Sequence, residues 1–551
     1  MTGPNPRDRL PRYSERALSV LFLAVIAATA YRFYLARFHS QFTDENDHMA
    51  VGWLLTQGET LYGSIFSHHM PLPYLAAQLL AFVSPNAPAS AFRLIPLLAY
   101  LLVGVLLVVS PVGRLNRPAG WLAGAAFLVL VSITLPPFLG HILLMENLEG
   151  CGLAVFLAFV SLPALLRIPC RKRDDLVGGL GAAFALSASP MALFPLAAGL
   201  LPLLTAELPN REGGRLLLLR LARLAAGAAA FALPVALWLH FYGSLKGFVA
   251  DVFVFNREAY LPFVSSPGTS TATFLVAGLG EWLDLARPSS RLDSDFSHTY
   301  NLTFVLLAAG AVLATATLAR GRRRPATGLS SLRLLLAPAA QLSLVFLLSR
   351  LRGFNFRALP FLILAITGAS LSGALLLASA GRRRGAVVAL VATVVTAPLL
   401  VLSMRHFTNR IDLLRPAIWP PQVSPIAEYV RTHTEPAERI AAFHLEPRIF
   451  LESRRRPATN AVFFLPWQAK WEALHPGEPT TCEQLGTSRP RFVFFQPSPV
   501  WGMDWSGYAG CIDRFIRENY EPLPDPAFQG SLWIRRPSAS ATTGPPAPER
   551  H

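Results

Sequence analysis

The chain has 551 residues, of which 52% are hydrophobic and 15% charged, with a formal net charge of +16. A soluble globular domain carries about 25% charged residues, so this balance, with many apolar runs of bilayer-spanning length, points to a polytopic membrane protein. The positive charge lies in short arginine clusters between apolar runs, as charges that fix membrane orientation do, and not in basic stretches interleaved with aromatics, which excludes a nucleic-acid partner.

Residues 1–16 form a basic tail ahead of the first apolar run. That run lacks a clear small-residue cleavage site and reads as an uncleaved signal anchor over about 17–37. A loop follows, with Asp44, Glu45, Asp47 and His48, then His68, His69 and two prolines. Residues 71–85 are apolar but short and proline-started, so they predict a helix in or near the outer interface, not a crossing. Further spans are expected at about 91–112, 119–138, 151–166, 176–189, 190–206, 224–241, 301–319, 334–349, 358–379 and 386–404, with 140–150 a short polar loop. This count of eleven puts nearly every basic cluster on the side of the N-terminus. Arg350, Arg352 and Arg357, with Lys246, fall on the other side.

The expected architecture is an all-α polytopic membrane domain of about eleven transmembrane helices, residues 17–404 with the outer loop 38–90. Helices are required because lipid satisfies no backbone group. A small α/β extracytoplasmic domain follows over 405–537: ERIAAFH, RFVFFQ and SLWIRR read as strands, and SPIAEYVRTH and CIDRFIRENY as amphipathic helices. Residues 538–551 are rich in Pro, Ser and Thr and read as a disordered tail. Cys482 and Cys511 can pair if this domain faces an oxidising compartment, and two unpaired thiols fit the sequence equally well.

Several constellations can carry chemistry. On a helix beginning near Thr43, the residues Asp44, Asp47 and His48 share a face. The simplest account is a capped N-terminus, where acids suit the helix dipole. At a membrane surface, however, an ionisable cluster is costly unless it is used. Glu146 and Asn147 offer a second carboxylate and an amide from a neighbouring helix end, or are merely polar loop residues. Arg350, Arg352 and Arg357, assisted by Lys246, have the guanidinium forks that hold phosphate, and otherwise snorkel to headgroups. His68, His69 and Tyr74 are substrate-binding candidates, with loop packing the alternative for at least one histidine, and Arg257 is a further outer-face candidate. No Gly-rich phosphate loop, paired CxxC or His-Glu-x-x-His is present, so no nucleotide cofactor is expected.

These residues resemble a known family. The Asp44-Glu45 pair after the first span, Gly58 to Tyr62 as G-x-x-x-Y, and His69 to Tyr74 as His-x-Pro-Leu-x-Tyr carry the likeness. So do Ala-Phe-Arg-Leu-Ile-Pro at 91–96 and Glu146-Asn147-Leu148. The chain is similar to membrane glycosyltransferases of the GT-C fold, in particular the bacterial group of protein O-mannosyltransferases and lipid A aminoarabinose or galacturonic acid transferases. The resemblance implies a polyprenyl-phosphate sugar donor, transfer on the outer face of the cell's inner membrane to a lipid, glycan or protein hydroxyl, and an inverting reaction. Asp44 would be the general base, with Glu45 next in line, and Glu146 a second acid. Asp44 and Glu146 would also be the ligands of a divalent metal ion, Mg or Mn, should one be used. This sequence departs from the group in reading SASPMALFP where a lysine often follows the fifth span, and Asn355-Phe356-Arg357 where a His-Tyr motif is usual. A multi-span transporter or flippase of a lipid-linked or anionic substrate, and an inactive glycosyltransferase-like scaffold, are the competing readings.

Overall fold

The computed structural model describes residues 6–37, 43–134, 144–207, 213–260, 262, 359–379, 423–443, 447–497, 499–500, 502–528 and 530–537. The expected spans 301–319, 334–349 and 386–404, and Arg350, Arg352 and Arg357, lie outside them.

The first part is helical: α1 Pro6–Ala36, α2 Thr43–Thr56, α3 Leu72–Val83, α4 Ala89–Phe92, α5 Leu94–Val109, α6 Pro111–Leu115 and α7 Arg117–Thr134. Then come α8 Leu144–Phe156, a π-helical turn Leu157–Ser161, α9 Leu162–Leu166, α10 Lys172–Ala188, α11 Leu193–Glu207, α12 Gly213–Tyr242 and α13 Leu245–Phe248. Two π-helical turns, Val249–Val254 and Asn256–Tyr260, follow, and α14 is Leu359–Ser379. Among the described residues, four helical stretches are long and apolar enough to cross a bilayer: Glu15–Tyr34, Ala89–Leu115, Leu144–Leu166 and Gly214–Tyr242. Each has the ~20 residues that a hydrocarbon core of about 30 Å demands. The remaining apolar helices, α3 among them, are shorter.

Helix α5 shows why these surfaces face something other than water. Leu97, Tyr100, Val103, Gly104 and Leu107 are buried against neighbouring helices. Leu98, Leu102, Val105 and Val109 form the opposite stripe and are exposed. An exposed apolar stripe of this length is stable only in an apolar medium. Helices α10 and α12 pack through glycine: a Cβ on Gly179 would collide with the Leu224 carbonyl, and one on Gly227 with the Leu176 carbonyl. This is the close small-residue packing of helices in lipid.

Three expectations are corrected. Residues 144–150 are not a loop. They are the first two turns of α8, because Leu144, Leu148 and Cys151 are buried at helical spacing and Glu146 sits at the favourable end of the dipole. Span 176–189 starts earlier, at Lys172, where the Asp174 carboxylate accepts from the Arg171 backbone N–H at 2.6 Å. Span 224–241 belongs to a helix starting at Gly213, so Arg215, Arg220 and Arg223 are helical residues rather than a loop cluster. The break between α10 and α11 falls at Ser189, as the Ser-Pro sequence predicts.

The basic residues of α6 and α12 hold buried carboxylates. The buried Asp174 accepts from Arg114 at 2.9 and 2.5 Å. Buried Asp175 accepts from Arg220 at 3.0 and 2.9 Å and from Arg223 at 3.1 Å. The two carboxylates tie α6, α10 and α12 together.

The C-terminal part contains α15 Pro425–His433, β1 Arg439–Phe443, α16 Arg448–Ser453, β2 Arg456–Pro457, α17 Pro466–Leu474 and α18 Thr481–Ser488. It ends with β3 Phe492–Phe495, α19 Trp505–Asn519, β4 Tyr520–Pro522 and β5 Leu532–Arg535. The strands form one sheet in the order β2-β1-β3-β5-β4, parallel on the β2-β1-β3 side and antiparallel beyond. The central strand β3 is Phe-Val-Phe-Phe with every residue buried, the uninterrupted apolar run expected of a strand covered on both faces. A disulfide joins Cys482 of α18 to Cys511 of α19.

This domain docks on the loop after α1. Glu59 pairs with Arg439 at 2.9 Å, the Phe66 N–H donates to the Asn460 carbonyl at 2.9 Å, and Arg454 lies over Trp53. Met49, Leu54 and Leu61 share one hydrophobic core with Phe450, Trp467 and Leu532.

Breaking a buried ion pair strands its partner charge. We therefore expect Asp175→Ala to lower unfolding stability in detergent by about 3 kcal/mol or more. Arg117→Ala, which removes an exposed pair with Glu15, should cost less than ~1 kcal/mol. Equal losses in a side-by-side melt would contradict the assignment of Asp175 as a tie point.

Candidate active site

The site is built on α2, α3 and the turn between them. In that turn Gly58 has φ +88 and Tyr62 φ +59. The left-handed region is natural for glycine and unfavourable for tyrosine, and three contacts hold Tyr62 there. Its hydroxyl donates to the His69 carbonyl at 2.5 Å, its N–H donates to the Ile65 carbonyl at 2.8 Å, and its ring packs on Phe248. The G-x-x-x-Y pattern thus marks two backbone reversals that carry His68 and His69 back towards α2.

Beneath the turn lies a polar node. The Tyr74 hydroxyl donates to Asp47 Oδ2 at 2.5 Å and is itself 2.6 Å from Ser67 Oγ. His48 Nε2 and His69 Nδ1 face each other at 3.1 Å, and His69 Nδ1 is 3.9 Å from Asp47 Oδ2. Asp47 and His48 are each 1% exposed. Burial pushes the Asp47 carboxyl up to about 8, the Tyr74 hydrogen bond pulling the other way and the charge of Asp44 adding to the rise. Burial likewise holds His48 well below its ordinary value. Beside the node, Glu45 is 3.5 Å from Arg93, whose guanidinium also donates to the Arg37 carbonyl at 2.9 Å. Burial outweighs the pull of Arg93 and raises Glu45 to about 8.

The candidate residues divide. Asp44 sits on the first turn of α2 and is partly exposed, whereas Glu45, Asp47 and His48 are buried. Glu146, Asn147 and Glu149 are buried on α8, which contacts α2 and α3. Leu144 and Leu148 of that turn pack with Leu72 of α3. His69 and Tyr74 are in the node. His68 adjoins the node: its ring lies against His69, Phe255 and Tyr260, and its carbonyl accepts from Asn256 at 3.0 Å. Arg257 is at the surface, paired with adjacent Glu258 at 2.5 Å. Among the described residues the metal-type grouping is Asp47, His48 and His69, with donor atoms within 4.8 Å of one another. It includes neither Asp44 nor Glu146.

Sequence reasoning missed Arg93 as a site residue. Its signal was present: an arginine at the mouth of an apolar span, on the side away from the other basic clusters.

Between this loop and the C-terminal domain lies a cavity of about 930 Å³, with Tyr62, Lys246, Asp251, Arg439, Trp471 and Glu472 in its wall. Lys246 is exposed to it. Burial pushes Asp251 up to about 8, against a hydrogen bond from the Ser67 backbone. No family model matches the chain, and no curated protein matches it.

Asp251 supplies a pH test. Folded, it keeps its proton up to about pH 8, whereas unfolded it ionises near its ordinary 3.8. The folded state therefore binds the extra proton between these values. The Asp251 contribution to stability is greatest below about pH 4, falls by up to ~1.4 kcal/mol per unit to about pH 8, and is level above. Asp251→Asn should remove this share of the slope, so its melting temperature should drop less than wild type between pH 5 and pH 8. Parallel slopes would show that Asp251 is not held protonated.

Proposed function

We propose that the chain is an integral-membrane glycosyltransferase that moves a sugar from a polyprenyl-phosphate donor to a hydroxyl of a lipid, glycan or protein acceptor at the outer face of the plasma (inner) membrane. One observation carries the reading. The acidic first two turns of α2 are gathered at the edge of a membrane-type helical body, against the Glu146-bearing helix and under a folded α/β roof. A transporter would place its ionisable groups and helix breaks near mid-membrane. Here the chemically suited groups lie on the loop after α1.

In this proposal Asp44 is the base because it is the acid of the cluster that remains partly exposed. Its carboxylate takes the acceptor hydroxyl proton as the acceptor oxygen attacks the anomeric carbon. The bond from that carbon to the donor phosphate oxygen breaks, and polyprenyl phosphate leaves with the electron pair. Inversion follows from the single displacement. Cations stabilise the leaving phosphate most strongly in a site with little water. Lys246 is placed for this beside the cavity, and Arg350, Arg352 and Arg357 remain candidates by sequence. Glu45 and Asp47, held by Arg93 and Tyr74, fix the turn that presents Asp44. The arginine ties around Asp174 and Asp175 suit the cytoplasmic end. The disulfide suits an oxidising compartment for the roof.

The test is sugar transfer in membranes from a labelled polyprenyl-phosphate sugar pool, at equal amounts of folded protein. Asp44→Asn should lose transfer by about a hundredfold, as expected on removing a general base, while Arg517→Ala, at an exposed pair on α19, stays near wild type. Undiminished transfer by Asp44→Asn would move the base to Glu45. No transfer by wild type from any such donor would overturn the reading.

A further inference from the structure

The Asp47, His48 and His69 node has the donor set of a transition-metal site. Two imidazole nitrogens face each other at 3.1 Å, and a carboxylate oxygen stands 3.9 Å from one of them. Donors of an ideal tetrahedral zinc site lie about 3.4 Å apart, with bonds of ~2.1 Å. The triangle here has no side longer than 4.8 Å, about 1.4 Å above that ideal spacing at most.

Two further features separate this cluster from a chance meeting of polar groups. Asp47 Oδ1 and His48 Nδ1 are buried and have no hydrogen-bond partner. Buried polar atoms left without partners cost about 1–3 kcal/mol each; an ion at the node would partner the second Asp47 oxygen, whereas His48 Nδ1 lies on the side of its ring away from His69. Neighbouring hydroxyls also position two of the three residues. The Tyr74 hydroxyl donates to the carboxylate and is itself braced by Ser67, and the Tyr62 hydroxyl fixes the His69 backbone.

We propose that Asp47, His48 and His69 bind one divalent first-row transition ion, zinc above all, with a fourth position left for water or a substrate oxygen. Two imidazoles disfavour magnesium, which takes oxygen ligands. The inference does not rest on the glycosyltransferase reading, and its test reads metal rather than turnover.

The full chain is purified in detergent, stripped with EDTA, equilibrated with Zn²⁺ and desalted. Metal is then counted by plasma mass spectrometry. Wild type should keep about one zinc per chain. His48→Ala, His69→Ala and Asp47→Asn should each weaken binding at least tenfold, and His433→Ala, on the surface of α15, should not. Cobalt loaded into wild type gives a second reading that needs no variant: an intense visible band of four- or five-coordinate cobalt is expected. Wild type that retains no zinc, node variants that retain as much as wild type, or a weak octahedral cobalt spectrum would each overturn the proposal.

Discussion

The hydrogen bond from Tyr74 to buried Asp47 is the constraint on which the α2–α3 end of the molecule depends. A carboxylate taken out of water must be neutralised or partnered. Burial raises the Asp47 carboxyl to about 8, and a tyrosine that has no exposure of its own holds it. The bond clamps α2 to α3. Once those helices are fixed, the connecting turn has to reverse within a short length, which places Gly58 and Tyr62 in the left-handed region and returns His69 beside His48. The same clamp leaves Asp44, one turn earlier, at the edge of the cluster.

The helical body is tied in opposite ways at its two ends. Around α6, α10 and α12, buried aspartates collect arginines into ion pairs. Around α2 and α3, burial raises the acids above their ordinary values, one of them against a single arginine, and the α/β domain covers them. The first arrangement is mechanical. The second holds ionisable groups away from their ordinary values, which is how sites that move protons are built. The shared core between the loop and the α/β domain, with Arg439 on Glu59 and Arg454 over Trp53, makes the roof part of that site's wall rather than an appendage.

Local patterns made part of this readable from the chain. Thr43 followed by acids announces a helix start, and α2 begins there. The alternation and buried run of RFVFFQ gives β3, and the apolar spacing of CIDRFIRENY gives the end of α19. Apolar counting failed where charges are buried. Glu146 and Glu149 made the start of α8 look like a loop, and Arg220 and Arg223 did the same for α12, because a hydropathy window cannot see that their charges find partners inside. The helix face common to Asp44, Asp47 and His48 was legible. Which of them is central was not, since that is decided by where α3 delivers Tyr74. The Glu45–Arg93 pair was hidden for the same reason: its members meet only through tertiary packing.

The account stands or falls on whether Asp47 and Tyr74 act as one unit. A double-mutant cycle with Asp47→Asn, Tyr74→Phe and the double variant, read by equilibrium unfolding in mixed micelles, measures this directly. Coupling of about 1 kcal/mol or more is predicted, with the double variant little worse than the poorer single one. Losses that add to within ~0.5 kcal/mol would mean that the two side chains are independent, and that the clamp on which the loop depends does not exist.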